Sequence, residues 1–255
     1  MKTKLIMLVI AVMAMTNYTN AQVIFEKLLN DELYHARVKL VDEFFDRFNL
    51  KEYHPNLDTT LESFKTDNII VLFDYESFKQ DKNLFPMAVD FAKKVVNNKI
   101  KINYSDTSWT AIAKCRGKLR GKSVDFTLFL NVEKRSEDMF KWVITRAEGE
   151  IFDLKPEFTN QRLMILPNAH ETNFMQLSRI TQEKDNIILN YKDKNVSTDP
   201  TSVFFSLVHY GLLDISGIID LQFEFRQVPS YVFTIKNIDR EHLNAGWLIY
   251  KLVKK

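Results

Sequence analysis

Between Asn30 and Leu50, the positions Leu33, Val41, Phe44, Phe45 and Phe48 recur at three- and four-residue steps. Asp42, Glu43, Asp46 and Arg47 lie between them, and this spacing predicts an amphipathic helix. The short apolar run Ile69–Phe73 predicts a strand. Pro86 is a residue that a first helical turn accepts, so a second helix is expected over Met87–Val96. Strict alternation follows. In Trp109–Arg120 the residues Trp109, Ala111, Ala113, Cys115 and Leu119 fall on one face, with Lys114, Arg116, Lys118 and Arg120 on the other. Gly121-Lys122 reads as a turn. Val124–Val132 alternates again, the polar "KRSED" breaks the pattern, and Phe140–Ala147 resumes it. Such alternation is the signature of a half-buried antiparallel sheet.

A similar order returns after Pro167. A helix is expected over His170–Thr181 and a strand over Asn186–Tyr191. Asp199-Pro200 should cap a helix over Thr201–Leu213, and three further strands are expected near Ile218–Val228, Tyr231–Ile238 and Trp247–Val253. The wording echoes as well. "DNII" occurs at Asp67 and at Asp185, "FTLFLNVEK" at Phe126 resembles "FTIKNIDR" at Phe233, and each is followed by a tryptophan strand, Trp142-Val143-Ile144 or Trp247-Leu248-Ile249. The expectation is an α+β protein of two tandem helix–strand–helix–three-strand units, each a curved antiparallel sheet packed on helices. Residues 22–155 would form the first unit and 156–255 the second, shorter one.

This element order resembles the nuclear transport factor 2-like fold, the cystatin-like α+β cone, in tandem. The resemblance would span nearly all of the chain after residue 21 and rests on element order alone. It implies a concave sheet with a ligand space beneath the helices. It does not choose among the isomerases, dehydratases, small-molecule binders and interaction domains built on that fold.

The N-terminus changes the picture of where such a protein works. Lys2 and Lys4 precede an apolar run, Leu5–Met15, and "TNYTNAQ" offers small residues at Thr19 and Ala21. That is the layout of a signal peptide over residues 1–21, cleaved before Gln22. The run is shorter than the roughly 20 residues a membrane span needs. The "AQ" junction and the Lys-, Asn- and Phe-rich composition resemble exported proteins of the Bacteroides group, and a periplasmic or extracellular location is expected. Without Lys2 and Lys4 the chain carries 33 basic and 33 acidic residues, which argues against nucleic-acid binding. Cys115 is the sole cysteine, so no intrachain disulfide forms, and 20 Phe, 9 Tyr and 3 Trp must supply the core.

Candidate chemistry is sparse. "NAHETNF" has the first half of a zinc-binding His-Glu-x-x-His, but Phe174 stands where the second histidine belongs. A helix cap at Asn168 with Glu171 explains the same residues. His35, His54, His209 and His242 lie in separate elements, so neither a metal site nor a cofactor is expected. Cys115 shares a strand face with Ala113 and Leu119 and reads as a buried structural thiol. His209 and Tyr210, late in a helix, are the best acid/base candidates, although a C-terminal histidine on the helix dipole explains the first equally well. Phe44, Phe48 and Trp142 are candidate linings of an apolar cavity.

The row Lys114, Arg116, Lys118 and Arg120 is either a solvated face neutralised by Asp125 and Glu133 or a surface for an anion. A third possibility pairs it with the more acidic row Asp220, Gln222, Glu224 and Arg226, as two sheets facing each other or meeting between molecules. Taken together these features favour a soluble binding or interaction module for a small molecule or an envelope protein. A structural, oligomerising scaffold is the second reading, and an isomerase- or dehydratase-like enzyme is the third and disfavoured one.

Overall fold

The computed structural model describes residues 37–38, 40–54, 56–136, 139–153, 192–193, 195–241 and 244–255. In chain order the elements are β1 (Arg37–Val38), α1 (Val41–Phe48), α2 (Phe64–Ile70), α3 (Tyr75–Gln80), α4 (Leu84–Asn97), β2 (Trp109–Leu119), β3 (Lys122–Ser136) and β4 (Met139–Glu148). After a short 3-10 turn, Glu150–Phe152, come α5 (Pro200–His209), β5 (Leu213–Phe225), β6 (Tyr231–Ile238) and β7 (Ala245–Lys254). The strands lie in the order β1-β7-β6-β5-β2-β3-β4, with two-residue β1 parallel to β7. The protein is therefore α+β, with six long strands in one open antiparallel sheet.

This corrects the expectation of two tandem units with a sheet each. Bonds at both ends of β2, from the Arg120 amide to the Leu212 carbonyl (2.9 Å) and from the Arg226 amide to the Ser108 carbonyl (2.9 Å), show why. They join the first strand of one three-strand run to the first strand of the other, so the two runs share one sheet. Two runs of alternating residues need similar wording, and similarity of wording does not require separate units. The helix expected at His170–Thr181 and the strand at Asn186–Tyr191 lie outside the described residues.

Two further expectations change. Ile69–Phe73 is not a strand. Phe64–Ile70 is helical, with Asp67, Asn68, Ile69 and Ile70 all buried, and only Phe73 makes a lone parallel bridge to Ile249. A short apolar run carries no period long enough to separate a strand from a buried helical turn. The β2–β3 turn is Arg120-Gly121, one residue earlier than expected, with φ of 48° and 82°. Positive φ at both central residues matches the right-handed twist of the flanking strands.

The chain forms two compact units. Among the described residues, unit 1 takes in those up to Ile112, those within Leu130–Val143 and those from Leu221 on, and unit 2 takes in Ala113–Phe129 and those between Ile144 and Asp220. In unit 1, α1 sends Phe44, Phe45 and Phe48 inward, while Glu43 and Arg47 pair at 2.6 Å along its flank. Phe91 of α4, Phe225 of β5 and Phe233 of β6 meet them. Phe233 lies 4.9 Å from Phe225 and 5.5 Å from both Phe48 and Phe91.

Polar side chains pin the loops around this core. Asn49 bonds both the amide and the carbonyl of Ile102, at 2.8 and 2.9 Å. Buried Asn68 donates to the Arg47 carbonyl and accepts from the His54 amide. Arg240 donates to Asp74 at 2.5 Å, and Asp74 in turn caps α3.

In unit 2, Asp199 caps α5 by accepting from the amides of Thr201 and Ser202, with Pro200 in the first turn, as the sequence predicts. Phe126, Phe152 and Phe204 form a small aromatic cluster with centroids 5.6 to 6.0 Å apart. A Cβ on Gly117 would come within 2.5 Å of the Asp214 carbonyl oxygen, so only glycine lets the chain pass there.

Candidate functional site: an aromatic cleft in unit 1

The cleft begins with Trp109. As the first inward residue of β2 it is 3% exposed, and its indole Nε1 donates to the Tyr104 carbonyl at 3.1 Å. One side of the ring stacks on Phe225 at 5.2 Å. Trp142 of β4 meets it edge-on at 4.7 Å, and Phe223 of β5 lies 5.4 Å from it. Tyr104 stacks on Phe45 at 3.8 Å with an interplanar angle of 10°, which leaves the other face of the phenol toward the cleft. Val41, Val132, Phe140 and Lys141 complete the walls around a space of about 290 Å³. Three of the rings remain accessible, Tyr104 at 45%, Trp142 at 40% and Phe140 at 38%.

Charge around the cleft is uneven. The Lys141 ammonium lies 3.7 Å from Glu133. On α1, Asp46 pairs with Lys51 at 2.9 Å, whereas Asp42, one residue after the lining Val41, is exposed and has no ion pair among the described residues. The Tyr104 phenol is pushed up to about 12, first by burial and then by the negative charges of Asp42 and Asp46. It is a neutral hydrogen-bonding group at any physiological pH.

Of the residues named as cavity linings from sequence, Trp142 is in the cleft. Phe44 and Phe48 are wholly buried, packed in the core behind it. Tyr104, Trp109, Phe140 and Phe223 were not singled out as site residues. The usable signal was Phe140 and Trp142 two apart on a strand that ends the sheet, where an apolar side chain has a neighbour on one flank only.

Lys114, Arg116 and Lys118 project from one face of β2, as predicted, and all are exposed. Arg116 grips Asp125 with two bonds of 2.8 and 3.0 Å, which raises the guanidinium pKa and lowers that of the carboxyl. Glu133 serves Arg135 and Lys141 instead. Arg120 sits in the turn and does not extend the row. The idea of two facing sheets gives way to neighbouring strands, because β2 and β5 lie side by side in one sheet. In that acidic row, Glu224 pairs with Arg226 and Gln222 accepts from Tyr250.

His209 and Tyr210 close α5 with their rings 5.1 Å apart, and Tyr210 is 73% exposed. Tyr210 also edges a wider space in unit 2 of about 630 Å³, bordered by Arg120, Asp199, Ser202 and Ser206. Leu119, Ile151, Val203, Leu207 and Leu212 make the rest of that border apolar, and His209 does not line it. Cys115 is buried, and burial pushes its thiol up and away from reactivity. His170, Glu171 and Asn168 lie outside the described residues. Among the described residues no group of His, Cys, Asp and Glu is placed to hold a metal ion, and no helix is long and apolar enough to cross a membrane. No family model, curated protein or solved structure matches the chain.

Proposed function

We propose that the protein is an exported binding module whose site is the aromatic cleft of unit 1, and that it binds its ligand without transforming it. The observation that carries this reading is a concave apolar surface with three accessible rings, Tyr104, Phe140 and Trp142, above a buried fourth, Trp109. Rings left accessible in a concavity are unsatisfied apolar area, and a ligand that covers them gains the burial the fold has not provided. The likeness to the nuclear transport factor 2-like cone belongs to this proposal. It is supported in unit 1 by helices packed on one face of an antiparallel meander. Export rests on the leader-like residues 1–21.

The test is the mass of the purified protein under native and then denaturing conditions, beside its Trp142→Ala variant. A small-molecule adduct lost on denaturation and absent from the variant is the expected outcome. A ligand-free protein that assembles into an oligomer would replace this reading with that of a scaffold.

A further inference from the structure

The wider space of unit 2 differs in chemistry from the cleft. It measures about 630 Å³ and lies among the end of β2, the 3-10 turn and one side of α5, all within that unit. Its apolar walls are aliphatic, and Tyr210 is the one ring among its described lining residues. Two charged side chains border it, and they differ in what they have left to offer. Asp199 is spent on the α5 cap. Its oxygens accept from the Ser202 hydroxyl and from the amides of Ser202 and Thr201, and these bonds hold its carboxyl below the usual carboxylate range. Ser206 is spent as well, since its hydroxyl donates to the Ser202 carbonyl at 2.8 Å. Arg120 is not. Its backbone amide is tied to the Leu212 carbonyl at 2.9 Å, which seats the residue beside the aliphatic wall. Its side chain is exposed, and among the described residues the guanidinium has neither an ion pair nor a hydrogen bond.

A ligand therefore meets aliphatic walls and one uncommitted charge, and that charge is positive. We propose that this space takes a single-chain aliphatic carboxylate, with its chain against Leu119, Val203, Leu207 and Leu212 and its head on Arg120. The planar fork of a guanidinium matches a carboxylate with two parallel hydrogen bonds. The chain gains the burial that the aliphatic side chains offer. An ammonium head would be repelled by Arg120 and would find Asp199 already holding three donors. The volume falls within the range of about 300–1,000 Å³ usual for small-molecule sites, enough for one chain with its head group and too little for a two-chain lipid. This site is separate from the aromatic cleft and does not depend on it.

The test uses probes with one chain and three heads, octanoate, octan-1-ol and octylammonium, followed by ligand-observed NMR and calorimetry at low salt. They are titrated into the full chain and into its Arg120→Gln, Arg120→Lys, Ser206→Phe and Trp142→Ala variants. Octanoate should bind at least about threefold more tightly than octan-1-ol, the size of one solvent-exposed ion pair, and octylammonium most weakly. Hexanoate should bind at least about fourfold more weakly than octanoate, the factor that one buried methylene supplies. Arg120→Gln should remove the advantage of octanoate and leave octan-1-ol unchanged, while Arg120→Lys keeps part of it. Ser206→Phe puts a ring into the space and should weaken octanoate and octan-1-ol alike. Trp142→Ala should leave octanoate binding as it is. Unfolding midpoints near that of the parent protein show that each variant is folded.

Octylammonium binding as tightly as octanoate, or octanoate binding indifferent to Arg120→Gln, overturns the carboxylate. Octanoate binding that Trp142→Ala abolishes and Ser206→Phe spares places the ligand in the aromatic cleft and overturns the unit 2 site. Binding of none of the probes overturns it as well, and leaves the cleft of unit 1 to its own test.

Discussion

Two aromatic regions of unit 1 are built from the same residue types and end differently. Around Phe233, the rings of Phe44, Phe48, Phe91 and Phe225 close on one another, and each is essentially inaccessible. Around Trp109, the rings of Tyr104, Trp142 and Phe223 approach just as closely, yet two of them keep two-fifths or more of their surface open. The difference lies in what covers them. The first region is roofed by α1 and α4, whose inward Phe44, Phe48, Phe91 and Ala92 fill the space. Among the described residues the second is met by α1 only at its start, through Val41 and Phe45, and it runs out to the last strand of the sheet. Aromatic content sets how much surface a fold can bury, and the reach of the helices decides which part is left for something else.

The sharpest way to break that comparison is to truncate one ring from each region. Phe233→Ala should cost about 3–5 kcal/mol of unfolding free energy, since it empties a site closed on every side. Trp142→Ala should cost about 1 kcal/mol, the worth of one aromatic pair on a part-exposed ring. Urea unfolding measures both. Similar losses would mean that the cleft is as much a part of the folded core as the sealed region.

Much of this was legible beforehand, and the failures have physical causes. The alternation in β2 and β3, the presence of a strand at β4 and the Asp199-Pro200 cap of α5 were readable because period and cap chemistry are local, although the burial along β4 does not alternate. The inward Phe44, Phe45 and Phe48 were equally plain, but the helix that holds them is described only from Val41. α2 was missed because the apolar run from Ile69 is too short to show a period, and Asp67 and Asn68 before it are buried, which the sequence does not announce. The single sheet was missed because strand pairing is a long-range choice. Nothing near Leu119 in the sequence announces that Leu212 will be its neighbour's partner. The cleft was half visible. Trp142 stood out, whereas Trp109 read as core, which it also is, and Tyr104 gave no pattern at all.

Unit 1 also buries an acid on α2, and this adds a smaller effect to the comparison. Asp67 is buried on α2, and burial raises its carboxyl pKa, only partly opposed by the hydrogen bond from Ser63. Below the ordinary carboxylate value both the folded and the unfolded chain hold this proton, and Asp67 costs nothing. Between that value and the raised one, the unfolded chain has released the proton while the folded chain still holds it. Stability is therefore lost as pH rises through this window, and the loss persists at neutral pH. Asp67→Asn removes the ionisation, so the variant should lose less stability over the window and gain on the parent protein toward pH 7. Unfolding midpoints measured from about pH 4 to 7 decide it. A variant whose midpoints run parallel to the parent's would mean that the carboxyl is solvated in the fold.

The smallest effect belongs to the open region, and it tests whether that region is wet. Tyr104 is nearly half exposed, yet burial is the main cause that takes its phenol up to about 12, with Asp42 and Asp46 adding to it. These causes act on different parts of the ring's surroundings, the Phe45 stack on one side and the α1 carboxylates nearby. Asp42→Asn should therefore lower the phenol's titration only slightly in an ultraviolet pH titration, because burial remains. The stability consequence has the same sign as for Asp67 and falls in the strongly alkaline range above the ordinary tyrosine value, where the unfolded chain ionises first. A phenol that titrates like free tyrosine in the unliganded protein would mean that water already fills the cleft to its floor.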